Sequence, residues 1–364
     1  MSNAEENARR LVKPVVRSMF AYHVPDASGL LKLDAMENPY QWDESVRNAW
    51  LEALKDAAIN RYPNPAAAPL RERLARVMNL PAGLEIMLGN GSDEIIQILA
   101  MALAQNNASI LSVDPGFVMY RVIAETVGMD YHGIPLCSDF SLDMPALLDA
   151  IHRHQPALLF FAVPNNPTGN SFPEAEIRKV IEASRGLVVI DEAYMAFTNT
   201  DFLPLAAEYD NVVVMRTLSK VGLAGLRLGM LIGKAAWIGE FNKIRLPYNI
   251  NVLTQLTASF ALDHYPLLQQ QANAIVQQRE ALFSTLQKMA GVEVFPSEAN
   301  FLLVRTRCDA KAVFEKMREQ GVLVKCLTGG HPLLHNCLRL TVGTAEEDQQ
   351  MLAALSRALA TISL

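Results

Sequence analysis

Several signatures are missing from this chain, and each absence removes a class of function. No apolar run reaches the length needed to cross a bilayer. The first residues, MSNAEENARRLVKPVV, are polar and lack the apolar stretch of a secretory leader. No long basic or acidic run occurs, and the net charge is −6, so nothing suggests the basic face that nucleic acid requires. GxGxxG is absent, which argues against a dinucleotide site, and GxxxxGK[ST] is absent, which argues against a nucleotide-triphosphate loop. Only four cysteines occur, Cys137, Cys308, Cys326 and Cys337, with neither metal-ligand nor redox spacing. They read as reduced packing thiols of a cytoplasmic protein, with an approach of Cys326 to Cys337 near a site as the alternative. His331 and His335 stand four apart in HPLLH without the glutamate of a zinc-protease motif, so no metal is expected. The HRH of residues 152–154 reads as solvated.

What is present is a chain with a sizeable core: 51% of its 364 residues are hydrophobic and 19% charged, the balance of an ordinary globular protein. The runs SILSVDP (109–115), PALLFFAVPNNP (156–167), GLVVIDEAY (186–194), NVVVMRTLSK (211–220) and LRLGMLIG (226–233) are apolar at successive positions without strict alternation. That pattern predicts strands covered on both faces, as in parallel sheets flanked by helices. SFPEAEIRKVIEASRG between two of them carries helix start and stop signals. The expected architecture is α/β, a mostly parallel central sheet flanked by helices, followed by a smaller α+β unit. The expected division is an N-terminal arm over 1–38, a large domain over 39–254 and a small domain over 255–364. In the last of these, a long helical stretch broken or kinked at Pro266 precedes a strand (NFLLVRT), a helix (DAKAVFEKMREQG) and two strands (VLVKC and CLRLTVG). The first ~30 residues and LTGGHPLLHN are expected to be irregular.

In open α/β sheets, ligands bind beyond the carboxyl ends of the parallel strands. One predicted strand ends in Asn165, Asn166 and Pro167 of NNPTG, the next in Asp191 and Tyr194 of DEAY, the next in Ser219 and Lys220. Singly these are ordinary turns, and a Ser-Lys pair is ordinarily a surface feature. Together they aim an amide, a carboxylate, a phenol and an amine at one crevice. GNGSDEIIQILAMAL (89–103) adds glycines that allow close backbone approach, Ser92 or Asp93 as a cap, and a helix N-terminus able to attract phosphate.

This set suits pyridoxal phosphate (PLP) chemistry. A lysine amine links covalently to the cofactor aldehyde. A carboxylate beside the pyridine nitrogen keeps it protonated, so that the ring accepts electrons. Amide and phenol groups bond the ring's phenolic oxygen, and an arginine fork suits the phosphate. Arg227, in TLSKVGLAGLRLG, supplies that fork at the far end of the cofactor from Lys220.

At this point the chain resembles the fold-type I PLP-dependent aminotransferases, and among them the histidinol-phosphate aminotransferases. LDAMENPY, RYPNP, GNGSDEII, DPGFVMY, NNPTG, VIDEAY, RTLSKVGLAGLRLG, SEANFLLVR and CLRLTVGT carry the likeness over nearly the whole length. The resemblance implies that Lys220 is the covalent anchor and general base. It implies that Asp191 faces the pyridine nitrogen and that Asn166 and Tyr194 bond the phenolic oxygen. Gly91, Ser92, Ser219 and Arg227 would hold the phosphate, Asp93 would be a further cofactor-binding residue, and Tyr62 would reach that phosphate from the other subunit of a homodimer with shared sites. Phe117 stands where many members stack a tyrosine on the ring. Arg339 would grip the substrate carboxylate, with Lys325, Asn38 and a partner's Tyr22 as further substrate contacts. Lys325 occupies a position where an arginine is common, and the Lys220–Arg227 loop is one residue shorter than the commonest pattern. The implied reaction is transamination between histidinol phosphate and 2-oxoglutarate. An aromatic amino acid aminotransferase and a threonine-phosphate decarboxylase remain as alternatives. A non-catalytic regulator of this fold would carry a DNA-binding segment, for which the chain has no basic patch.

Overall fold

The structure, a computed structural model, describes residues 2–21 and 25–362. Its strands, in chain order, are β1 (Leu31–Lys32), β2 (Leu84–Asn90), β3 (Ser109–Asp114), β4 (Asp130–Pro135), β5 (Leu158–Ala162), β6 (Leu187–Asp191), β7 (Val212–Thr217), β8 (Leu228–Lys234), β9 (Val292–Val294), β10 (Phe301–Thr306), β11 (Val322–Leu323), β12 (Lys325–Cys326) and β13 (Cys337–Thr341). The large sheet has the order β2-β8-β7-β6-β5-β3-β4.

The continuous apolar runs arise because both faces of this sheet are covered. Successive side chains point to opposite sides of a strand. Leu159 and Phe161 of β5, Val188 and Ile190 of β6, and Val212 and Val214 of β7 enter one core. Their neighbours Leu158, Phe160, Leu187, Val189, Val213 and Met215 enter another on the opposite face. Burying a side chain of this size stabilises by about 1.5–3 kcal/mol, which is why neither face carries polar alternation here.

One strand departs from the parallel expectation. β8 runs antiparallel to both β7 and β2. The cause is the short connection over 218–227. A parallel return needs a crossover of about a dozen residues or more, whereas this chain turns back almost at once. The turn uses Gly222 at φ 111° and Arg227 at φ 50°.

The second unit is a four-stranded antiparallel sheet of order β12-β13-β10-β9. Its core gathers Leu302, Val304, Val313, Leu338, Leu340 and Met351. Leu33 and Met36 of the preceding arm also enter that core, as does Tyr194 from beyond β6. The arm is fastened by the parallel pair β1–β11. VLVKC, expected as one strand, therefore divides: β11 pairs with the arm while β12 pairs with β13. The expected long helical stretch is two helices, Val252–Asp263 and Tyr265–Leu286, with Pro266 in the first turn of the second, where its missing N–H costs nothing. The start of the chain is less irregular than expected. Asn3–Leu11 is a helix with a capping box between Ser2 and Glu5, and Pro14–Ser18 is a second short helix. No helix among the described residues is long and apolar enough to cross a membrane.

Beneath the end of β6, Glu192 turns away from Asp191 into a buried network. Its carboxylate accepts from Arg216 Nε at 2.7 Å and from the Phe202 amide at 2.7 Å, and Arg216 also reaches Asp201. The side chains of Arg216 and Glu192 are only 5% and 1% exposed. Arg216→Ala is therefore expected to strand a buried carboxylate and destabilise the protein by about 3–5 kcal/mol, read as a lowered urea midpoint. A change below about 0.5 kcal/mol would contradict this account.

Candidate active site

The backward turn from β7 to β8 places Lys220 and Arg227 at the same edge where β5 and β6 end. Ser92, Asp93, Phe117, Asn166, Asp191, Tyr194, Ser219, Lys220 and Arg227 line one cleft there, together with Met36, Ala162, Ala193 and Thr217. The amine and the carboxylate that the sequence reading paired thus share a cavity.

Asp191, the last residue of β6, is buried. Its Oδ2 accepts from the Tyr120 hydroxyl at 2.6 Å and its Oδ1 from the Ala193 amide at 3.1 Å. Burial pushes its pKa up to about 6, and the two donors oppose that rise. Tyr194 packs edge-on against Phe301 at 5.3 Å. Its phenol is also raised, by burial first, with Arg339 acting the other way. Phe117 sits edge-on to Tyr120.

Lys220 Nζ donates to the Ala35 carbonyl at 3.2 Å and lies 5.9 Å from the centre of the Tyr194 ring. Burial, aided by Arg339 and Arg227, pushes its pKa down to about 8. Arg339 is buried too: Nη1 donates to Asn166 Oδ1 at 2.7 Å and Nη2 to the Asp34 carbonyl at 2.8 Å. The arm's backbone at 34–35 thus bonds both cations. Sequence patterns could not reveal this, since a carbonyl belongs to every residue type.

At the other end of the cleft, helix Ser92–Leu103 begins with Gly91 as its cap residue and no side-chain cap. The sequence reading expected Ser92 or Asp93 to cap. Both lie inside the helix instead, which leaves the first-turn amides available to an anion. Arg227 Nη2 stands 3.6 Å from Asp93 Oδ2. Gly91 has φ 82°, and a Cβ there would lie 2.6 Å from Arg227 Nη2. A Cβ on Gly229 of β8 would lie 2.7 Å from the Gly91 carbonyl carbon. Ser219 Oγ lies 2.9 Å from the hydroxyl of Thr217, a cleft residue the sequence reading passed over.

The remaining predicted residues are spread more widely. Asn38 donates to Gln271 at 3.1 Å and packs against the turn at Gly222. Lys325 lies directly across from Arg339 in the β12–β13 register. Tyr62 does not line its own chain's cleft; it is 81% exposed and stacks on Tyr248 at 4.5 Å. Tyr22 lies outside the described residues. Asn165 turns inward, donating to the Pro115 carbonyl and to Thr168, and so shapes the turn that presents Asn166. Tyr120 was missed; its only sequence signal was its place in DPGFVMY, one helical turn after Phe117.

The profile of class I and II aminotransferases matches residues 28–355. The chain belongs to that family. Among curated relatives of this aminotransferase, histidinol-phosphate aminotransferase 2 of Nitrosococcus oceani is 50% identical, over 96% of this chain and 98% of that protein. Histidinol-phosphate aminotransferase 1 of Ralstonia nicotianae is 49% identical, over 96% and 95%. The solved histidinol-phosphate aminotransferase of Sinorhizobium meliloti, in complex with pyridoxal-5'-phosphate, superposes with a TM-score of 0.86 at 24% identity, over 96% of this chain and 98% of that one.

The aminotransferase's cofactor is PLP, and the cleft fits it. A partly buried amine, a buried carboxylate with no salt-bridge partner among the described residues, and an uncapped helix start beside an arginine match the aldehyde, the pyridine nitrogen and the phosphate. The lowered pKa of Lys220 has a directional consequence. Between about pH 8 and the reference value of 10.5, the unfolded chain holds a proton that the folded chain has lost, so this group adds stability as pH rises through that window. The free amine, which alone attacks an aldehyde, is half populated near pH 8. The rate of PLP uptake by the apoenzyme, followed by stopped-flow absorbance, is expected to level off around pH 8. A rate still climbing tenfold per unit above pH 10 would refute this assignment.

Proposed function

We infer that this aminotransferase transfers the amino group between L-histidinol phosphate and 2-oxoglutarate, giving imidazole acetol phosphate and L-glutamate, within histidine biosynthesis. The observation carrying this reading is the shared cleft of Lys220, Asp191, Asn166, Tyr194 and Arg227, in a chain about half identical to histidinol-phosphate aminotransferases. The solved L-threonine-O-3-phosphate decarboxylase of Porphyromonas gingivalis is 21% identical, a likeness of fold alone.

PLP, when bound, supplies an electron sink for the pair left behind when the substrate α-carbon loses its proton. The chain does the rest. Lys220, whose amine titrates close to neutrality, serves as the base at that α-carbon. Asp191 keeps a negative charge against the pyridine nitrogen. Asn166 and Tyr194 would bond the cofactor's phenolic oxygen, and Phe117 would stack on its ring. Gly91, Ser92, Ser219 and Arg227 would hold its phosphate, with Asp93 beside Arg227 as a further residue of that end of the cleft. Arg339 is held in place by Asn166 and the arm carbonyl, which presents its planar fork to the carboxylate of glutamate. Histidinol phosphate has no carboxylate, so its phosphate takes the cationic grip instead. Lys325, across the strand pair from Arg339, adds a second positive charge to it, and Asn38 borders the same side.

The working form is a homodimer with shared sites. Tyr62 supports this: an aromatic residue expected at the phosphate is exposed and is not among the residues lining its own chain's cleft, as a residue serving the neighbouring subunit would be. Tyr22 is assigned to the partner's substrate on the family resemblance alone. A cytoplasmic location is supported by four unpaired cysteines.

Purified enzyme mixed with histidinol phosphate should lose its yellow visible band as the cofactor takes up the amino group, and 2-oxoglutarate should restore it. Lys220→Ala should abolish turnover; substantial residual turnover in that variant would defeat the mechanism. Lys325→Ala should raise KM for histidinol phosphate about tenfold while leaving KM for glutamate within about twofold. Equal effects on both would remove Lys325 from the phosphate site.

A further inference from the structure

Tyr120 has no part in the chemistry assigned above, yet it is fully buried and bonded to the group on which the ring nitrogen depends. It sits in helix Met119–Val127, its ring stacked on Phe160 of β5 at 4.4 Å and 12° and edge-on to Phe117 at 5.4 Å. Two aromatic contacts fix the ring, so the hydroxyl is delivered to Asp191 Oδ2 at 2.6 Å with little rotamer freedom left to lose. Among the described residues it is the one side chain that donates a hydrogen bond to Asp191. The other ionisable groups near this pair act through space. Asp93 comes from helix Ser92–Leu103 and Glu192 is next in the chain, while Tyr131 of β4 and Tyr194 flank the phenol. Lys220 and Arg227 line the same cleft.

We propose that Tyr120 is the positioning residue of Asp191: its phenol fixes the plane in which the carboxylate faces the pyridine nitrogen, and keeps that carboxylate ionised before the cofactor arrives. This deepens the reading above and rests on Asp191 being the partner of that nitrogen. A hydroxyl donating to a carboxylate favours the charged form, whereas burial favours the neutral one. Remove the hydroxyl and leave the burial, and Asp191 holds its proton to higher pH than about 6. A protonated Asp191 must give up that proton to pair with a protonated ring nitrogen, so cofactor affinity falls tenfold for each pH unit below the carboxylate's pKa.

The test is the dissociation constant of PLP from the apoenzyme between pH 5 and pH 8, for wild type and Tyr120→Phe, by fluorescence quenching. Every other titration is common to the two proteins. The wild-type curve is expected to bend near pH 6. In Tyr120→Phe the bend should move up by about one unit, giving roughly tenfold weaker binding at pH 6 and near-equal binding at pH 8. Phe160→Leu loosens the stack but keeps the hydroxyl, and its bend should stay near pH 6. An unmoved bend in Tyr120→Phe, a loss equal at every pH, or an equal displacement in Phe160→Leu would each overturn the proposal. Wild-type protein with no affinity for PLP would overturn both it and the reading on which it rests.

Discussion

The reversal of one strand organises this molecule. β8 runs against its neighbours because the chain turns back within 218–227. That turn carries Lys220 on one shoulder and Arg227 on the other. A parallel crossover would have sent the residues after Lys220 to the opposite edge of the sheet. The reversal also lays the start of β8 beside the end of β2, with Leu228 opposite Asn90. The arginine and the uncapped helix start therefore become neighbours, although more than a hundred residues separate them in sequence.

Burial governs the electrostatics of the cleft. An acid and an amine are both moved towards neutrality by desolvation, Asp191 upward and Lys220 downward. Isolated ions would be costly in such a place. Each is instead supplied with partners of limited strength: a phenol and an amide for the acid, a backbone carbonyl for the amine. The carbonyl leaves the amine able to change its protonation during a reaction, whereas the short bond from the phenol favours the charged form of the acid. Glu192 next door differs, since it has a full counter-ion in Arg216, which also reaches Asp201.

Much of this could be read from the sequence because the sheet is covered on both sides, so its strands appear as unbroken apolar runs and their ends as abrupt polar ones. Asn166, Asp191, Tyr194, Ser219 and Lys220 stood out for that reason, and the structure brings them into one cleft. The direction of β8 was less visible, because an apolar run gives burial but no polarity. VLVKC looked like one strand because the arm that claims its first half lies nearly three hundred residues earlier. Tyr120 escaped because an aromatic residue on a buried helix face reads as packing, which it also is. The carbonyls at 34 and 35 escaped because backbone groups carry no sequence signature.

The joint between Gly91 and Gly229 is built from main chain alone, with no room for even a methyl group. A side-chain contact can adjust by choosing another rotamer, but two peptide planes in touch have no such slack. The dimensions of the anion cradle are therefore inherited from the pitch and twist of the sheet edge itself, and whatever distorts that edge reshapes the cradle to the same degree.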